Sequence, residues 1–185
     1  ATISAIQDSN IEGDETISIS IGSVENAEAG EGQIVDVIIE DDDFDVPLIL
    51  NEILYDPPSG SDGDANNDGT REAQGDEFLE LYNDSVSVLD VSGFQIFDAE
   101  ALDAGTPRHI VPDGTVIPAN SAMVIFGSGS PSGDFGGAVV QTASSGLLNM
   151  NNSGDLVTIQ DANGAVVITF DIEPLSNNPD ESYTR

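Results

Sequence analysis

Between Asp64 and Asp68 every second residue carries a side-chain oxygen: Asp64, Asn66 and Asp68, with Gly69 directly after. Hard cations such as Ca2+ bind through oxygen, with about six to eight ligands, and a loop offering them at alternate positions uses a glycine for the sharp turn that follows. DANNDG therefore reads as the first half of a calcium loop. The second half departs from the helical pattern. The twelfth position counted from Asp64 is Gly75, where an EF-hand places a bidentate Glu, and Asp76 and Glu77 come just after it. Two prolines upstream and FLELY downstream leave no pair of helices to hold the loop. The expectation is a Ca2+ loop inserted into a β-protein. Asp64, Asn66 and Asp68 supply side-chain oxygens, Thr70 its backbone carbonyl, and Glu72 with Asp76 or Glu77 closes the shell. The competing reading is a solvated acidic loop, because DxNxDG arises easily in an acidic chain.

The other chemistry-bearing residues do not converge. His109 is the single histidine, in the strand-like PRHIVPDG, and a general base needs a positioned partner. Neither G-x-S-x-G nor H-E-x-x-H occurs. GSGSPSG, at Gly127 to Gly133, lacks the lysine of a phosphate-binding loop and reads as a loop tip. Asp76 and Glu77 are adjacent, and neighbours on a strand point to opposite faces, which does not suit a glycosidase pair. Arg71, inside the acidic loop, is expected to pair with a carboxylate, and Arg108 and Arg185 to be surface groups. No enzyme is expected.

Charge narrows the class further. The chain has 185 residues, with 3 Lys plus Arg against 35 Asp plus Glu, a formal net charge of -32. Such a charge repels phosphate backbones and anionic membranes, so neither nucleic-acid binding nor membrane insertion is expected. It also strains a compact fold unless cations neutralise part of it, which is a second reason to look for Ca2+. There is no cysteine, so disulfides and thiolate metal sites are excluded.

The elements that must position the loop read as strands. Ala1 to Ala5 alternates small and apolar residues. In ETISISIG, Ile17, Ile19 and Ile21 share one face and Ser18 and Ser20 the other. QIVDVIIEDDD is a β-branched run ending in acids. The succession D-x-x-x-E-G-D-E-T, alternating apolar residues, then I-x-D-D-D resembles the second half of a Calx-beta domain. The resemblance covers residues 1–46 and implies the tail of an immunoglobulin-like sandwich with Ca2+ at one end. Its implied ligands are Asp8, Glu12, Asp41, Asp42 and Asp43, although Gln7 stands where an Asp is common.

From residue 47 a second resemblance carries the chain. ILNEILYDP, GDEFLELYN, LDVSGFQIFD, PDGTVIPANSAMVIFG, NSGDLVTIQDANGAVVITFDI and NNPDESYTR follow one another as in a bacterial lamin tail domain, with Phe94 where relatives often have Trp. The resemblance implies another immunoglobulin-like sandwich, with the acidic loop between its first two strands. The residues agree independently. Ile49, Ile53, Phe78, Leu81, Leu89, Val91, Phe94, Ile96, Val116, Ile117, Val124, Ile125 and Phe126 lie in short alternating runs and form the expected core. LVTIQDANGAVVITF is a hairpin in which Asn163 and Gly164 tolerate positive φ. Helix is expected only as a turn near DAEALDAG. The fold class is thus all-β, a lamin-tail-like sandwich preceded by strands of a partial Calx-beta-like one.

NNPDESYTR is expected to stop without a closing strand, leaving either a fragment or neighbouring copies that complete each other by strand addition. The function expected is a non-catalytic, calcium-stabilised structural or adhesive module on the bacterial cell surface. Its partners would be other copies of itself or neighbouring domains of a longer chain. The alternative is an accessory domain of a secreted hydrolase, a nuclease or phosphatase, since lamin-tail-like domains often accompany such enzymes.

Overall fold

The computed structural model of the chain describes residues 15–20, 34–39, 46–176 and 180–185. Two units divide it, Ala1–Val46 and Pro47–Arg185. In the first, β1 (Glu15–Ser20) and β2 (Ile34–Ile39) pair antiparallel, with Ile17 opposite Val37 and Ile19 opposite Val35. The Ser18 hydroxyl donates to Asp36 at 2.6 Å on the other face. The strand expected at Ala1–Ala5 and the candidate ligands Asp8, Glu12, Asp41, Asp42 and Asp43 lie outside the described residues.

The second unit is built from β3 (Leu48–Leu54), β4 (Phe78–Asn83), β5 (Leu89–Asp90), β6 (Gln95–Phe97), α1 (Ala99–Ala104), β7 (His109–Ile110), β8 (Val116–Ile117), β9 (Ala122–Phe126), β10 (Val139–Thr142), β11 (Leu156–Gln160), β12 (Val166–Asp171) and β13 (Tyr183–Thr184). One sheet runs β10-β9-β4-β3-β13, the other β12-β11-β6-β7, and β5 and β8 form a small ribbon. Buried side chains come from both sheets, among them Ile53, Leu79, Leu81 and Ile125 from the first and Ile96, Val157 and Ile159 from the second. This is an all-β, immunoglobulin-like sandwich. Each such buried aliphatic side chain contributes about 1.5–3 kcal/mol over its exposed state.

The period of two decides which residues enter this core. In β4, Leu79 and Leu81 are buried while Phe78, Glu80 and Tyr82 are half-buried on the opposite face. β9 behaves differently: Met123 through Phe126 are all buried. It is an interior strand, antiparallel to β4 and parallel to β10. A parallel neighbour requires the chain to travel back along the strand before re-entering the sheet. The segment from Gly127 to Ala138 makes that return, and its Phe135 ring lies 5.2 Å from Phe126, which also meets Phe78 edge-on at 5.6 Å. The outer face of β9 is thereby covered. Among the expected core residues, Ile49 and Phe78 are only half-buried and Val116 is exposed, since each takes the outward place in its alternation; Leu89 is half-buried although it pairs with buried Ile117.

Three local features are written in the side chains. Asp98 caps α1, accepting from the Ala101 amide at 2.7 Å, and Gly105 ends it in the left-handed region at φ 63°. Asp161 holds the β11–β12 turn by accepting from the Asn163 and Ala165 amides, both at 2.8 Å. Positive φ falls on Gly164 there, and Asn163 does not share it. The expected lack of a closing strand is corrected. Tyr183 and Thr184 pair with Ile53 and Glu52 of β3, and the Tyr183 ring stacks on Tyr55 with centroids 6.1 Å apart. Two residues sufficed, a length too short to stand out as periodic. Among the described residues no helix is long and apolar enough to cross a membrane.

Candidate cation-binding loop

The stretch between β3 and β4 is anchored first by its backbone. Arg71 was expected to meet a carboxylate. Instead its Nε donates to the Pro58 carbonyl at 2.8 Å and its Nη2 to the Pro57 carbonyl. Proline carbonyls at an extended corner have no strand partner, and a guanidinium fork can serve two at once. The arginine therefore pins the loop's entrance.

The ladder residues then fold inward on backbone amides. Asp64 Oδ1 and Asn66 Oδ1 both accept from the Asp68 amide, at 3.1 and 3.0 Å, and Asp64 Oδ2 accepts from Gly69 at 3.0 Å. Asp68 Oδ1 accepts from the Thr70 amide at 2.9 Å. Asn67 and Gly69 turn the chain at φ 54° and 92°. The spacing seen in the sequence thus brings the side-chain oxygens of Asp64 and Asn66 together on the Asp68 amide, while the Asp68 carboxylate turns to the Thr70 and Ser130 amides. Among the described residues no three His, Cys, Asp or Glu side chains are gathered to hold a metal ion. A cation at the ladder would draw on Asn66 and on backbone oxygens as well as the two aspartates.

The second wall of the loop comes from a distant segment, the return from β9 to β10. Ser130 donates its amide to Asp68 Oδ2 at 3.1 Å, and Ser132 donates its amide to the Asn66 carbonyl at 2.9 Å. The Asn66 and Asn67 side-chain amides donate back to the Ser128 and Ser132 carbonyls at 3.1 and 2.7 Å. Gly129 is required here: a Cβ on it would stand 2.5 Å from both Asn66 Nδ2 and Asp68 Oδ2. The glycines and serines of GSGSPSG are a loop, as expected, and their small size is what lets them lie against the ladder.

Asp76 and Glu77, the expected closing ligands, take separate places. Asp76 is fully buried; its Oδ1 accepts from the Asn66 amide at 3.1 Å and its Oδ2 from the Glu72 amide at 2.7 Å. It ties the ladder to the end of the loop as a backbone clamp. Glu77 is 2% exposed and lines a cavity of about 340 Å³ with Asp56, Gln74, Asn149, Asn151 and Asn152. Its Oε2 accepts from the Met150 amide at 3.2 Å. Burial pushes its carboxyl up to about 8; the Met150 and Asn149 amides pull the other way, and Asp155 and Asp98 add to the rise. Glu72 and Thr70 are exposed; Thr70 follows the ladder directly, whereas the Glu72 carboxylate lies against Gly75.

The remaining candidates for chemistry serve architecture. His109 is 2% exposed, and its Nδ1 accepts from the Ser144 amide at 3.1 Å. That bond places the proton on Nε2, 2.8 Å from Gln141 Oε1. Burial lowers its pKa, against a smaller upward push from Gln141. Arg108, expected at the surface, is half-buried: it bonds Asp98 through Nε and Nη2 at 3.0 and 2.8 Å and the exposed Glu100 at 2.8 Å. The sequence did not foretell this clamp, although Asp98 and Arg108 flank the helix that they fasten.

A family model described as Lamin Tail Domain matches residues 45–173. No curated protein matches the chain. The family match starts at the junction of the two units, spans the sandwich from β3 through β12 with the acidic loop inside it, and covers well over half of the sequence, so this chain belongs to the lamin tail domain family.

Proposed function

We propose that the chain is a non-catalytic structural or adhesive module of the bacterial cell surface, stiffened by Ca2+ at Asp64, Asn66 and Asp68. The observation that carries this reading is the employment of the reactive side chains. The sole imidazole is sealed with both nitrogens engaged, Arg71 is tied to carbonyls, and Arg108 is tied to carboxylates. Membership of the lamin tail domain family supports a structural role. The calcium reading is supported by the meeting of Asp64 Oδ1 and Asn66 Oδ1 on one amide, which sets two ladder oxygens side by side with acceptor capacity left. Exposed Glu72 and the Thr70 carbonyl are next along the chain to add to the shell. A divalent ion there relieves the repulsion among carboxylates in a chain of net charge -32.

In the same reading the first unit is the tail half of a Calx-beta-like sandwich, with Asp8, Glu12, Asp41, Asp42 and Asp43 as a further Ca2+ end. Two experiments test it. Melting in excess Ca2+ and in excess EDTA is expected to differ for the native chain and to coincide for the Asp64→Asn, Asp68→Asn double variant. Coincident melting of the native chain refutes the calcium part. Immunogold electron microscopy of intact cells is expected to place label on surface filaments or a surface layer. Label confined to the cell interior refutes the display.

A further inference from the structure

We propose that the cavity behind Glu77 is a second, separate site for a hard divalent cation of the Ca2+ class. The argument begins with a buried carboxylate that lacks a counter-charge. Glu77 is 2% exposed; its Oε2 accepts from the Met150 amide, and the Asn149 amide adds a weaker pull on the carboxyl. No side-chain donor reaches its Oε1 among the described residues. Nor is Oε1 sealed: among the described residues the one sealed side-chain oxygen or nitrogen without a partner is Thr158 Oγ1. Oε1 therefore opens onto the cavity that Glu77 lines. A buried carboxylate facing a polar space without a cation beside it is costly, and an ion supplied from solvent removes the cost.

The walls specify the ligand. Asp56 brings a second carboxylate, whose Oδ1 accepts from Asn152 Nδ2 at 2.5 Å while Oδ2 is left without a partner among the described residues. Gln74 donates its amide nitrogen to Asn149 Oδ1 at 2.8 Å, which leaves the Gln74 carbonyl oxygen free to accept. The side-chain oxygen of Asn152 is likewise uncommitted. No cationic or aromatic side chain lines the space, which disfavours an anion or a stacked sugar. Arg108, the nearby cation, is engaged by Asp98 and Glu100. Carboxylate and amide oxygens with room for water, about 340 Å³, are the environment of a hard cation that keeps part of its hydration shell. The ladder residues Asp64, Asn66 and Asp68 do not line this cavity, so the two sites stand or fall separately.

Calorimetric titration of the EDTA-stripped 185-residue chain with CaCl2 tests the proposal. The Asp64→Asn, Asp68→Asn variant is expected to keep one Ca2+-binding event, and adding Glu77→Gln is expected to abolish it or weaken it at least tenfold. Glu77→Gln alone is expected to lose that event and to keep any binding at the ladder. Should Glu77→Gln fail to fold, Asp56→Asn on the cavity wall must weaken the same event. Mn2+ added to the ladder variant must then broaden the side-chain amide NMR signals of Asn149 and Asn152 ahead of those of Asn66 and Asn67. Unchanged Ca2+ binding in both Glu77→Gln and Asp56→Asn overturns the proposal, as does a ladder variant that takes up no Ca2+ at all. Binding lost in the ladder variant alone would leave the calcium loop standing and remove the cavity site.

Discussion

Asp76 and Glu77 are neighbours in sequence, both are buried, and they solve burial in opposite ways. Asp76 faces the loop, where each carboxylate oxygen meets a backbone N–H. Glu77 faces the cavity, where one oxygen meets the Met150 amide and the other meets open space lined by oxygen-rich side chains. A close donor on each oxygen offsets the desolvation of a carboxylate; the weaker pull of the Met150 and Asn149 amides, with further acids nearby, does not. The loop is thus held together by its acids, whereas the cavity is left in need of a proton or a cation. Identical chemistry in the side chain gives a clamp in one place and a binding group in the other, because the local supply of N–H groups differs.

The largest effect should come from breaking the clamp. Asp76→Ala leaves the buried Asn66 amide and the part-buried Glu72 amide without acceptors, and denaturant unfolding is expected to show a loss of about 2–5 kcal/mol. An unchanged midpoint would mean that the loop is held by other contacts. Glu77 sharpens the other side. Its folded pKa of about 8 lies above the ordinary 4.5, so the folded state holds a proton that the unfolded state releases. The stability this gives is complete below about 4.5 and is lost as pH rises through 8. In EDTA, the melting temperature is expected to fall by roughly 5–10 °C between pH 5.5 and 8.5, and Glu77→Gln to flatten that slope. A slope that survives the substitution would show that Glu77 does not cause it.

Smaller effects mark the edges of the comparison. Asp68→Ala removes the acceptor for the Thr70 and Ser130 amides, which water can partly replace at this half-exposed position. A loss of about 1–2 kcal/mol in EDTA is expected by urea unfolding. A loss as large as that of Asp76→Ala would erase the distinction between clamp and ladder. His109 gives the smallest change, with the opposite sign to Glu77. Its folded pKa is depressed, so its share of stability is present above about 6.5 and lost as pH falls below. Glu77→Gln should expose this as a modest drop in melting temperature from pH 7 to 5.5, absent once His109→Gln is added.

The sequence by itself determined the β-sandwich and the ladder. A period-two run such as FLELY buries one face, and the left-handed turn at Asn67 lets the Asp64 and Asn66 side chains meet on the Asp68 amide. It also determined the hairpin at Gly164 and the short helix after Asp98, since turn glycines and caps act within a few residues. Only the tertiary structure decided what lies against the ladder and where Glu77 points. The parallel placement of β10 beside β9 carries the Gly127–Gly133 loop back over Asp68. The approach of Met150 and Asn152 to the end of the loop closes the cavity around Glu77 and Asp56. Those contacts join residues some 60 to 100 positions apart, and no local pattern encodes them. Side-chain period and turn chemistry are properties of a few consecutive residues, but the donors that meet a buried carboxylate are supplied by whatever strand order brings alongside it.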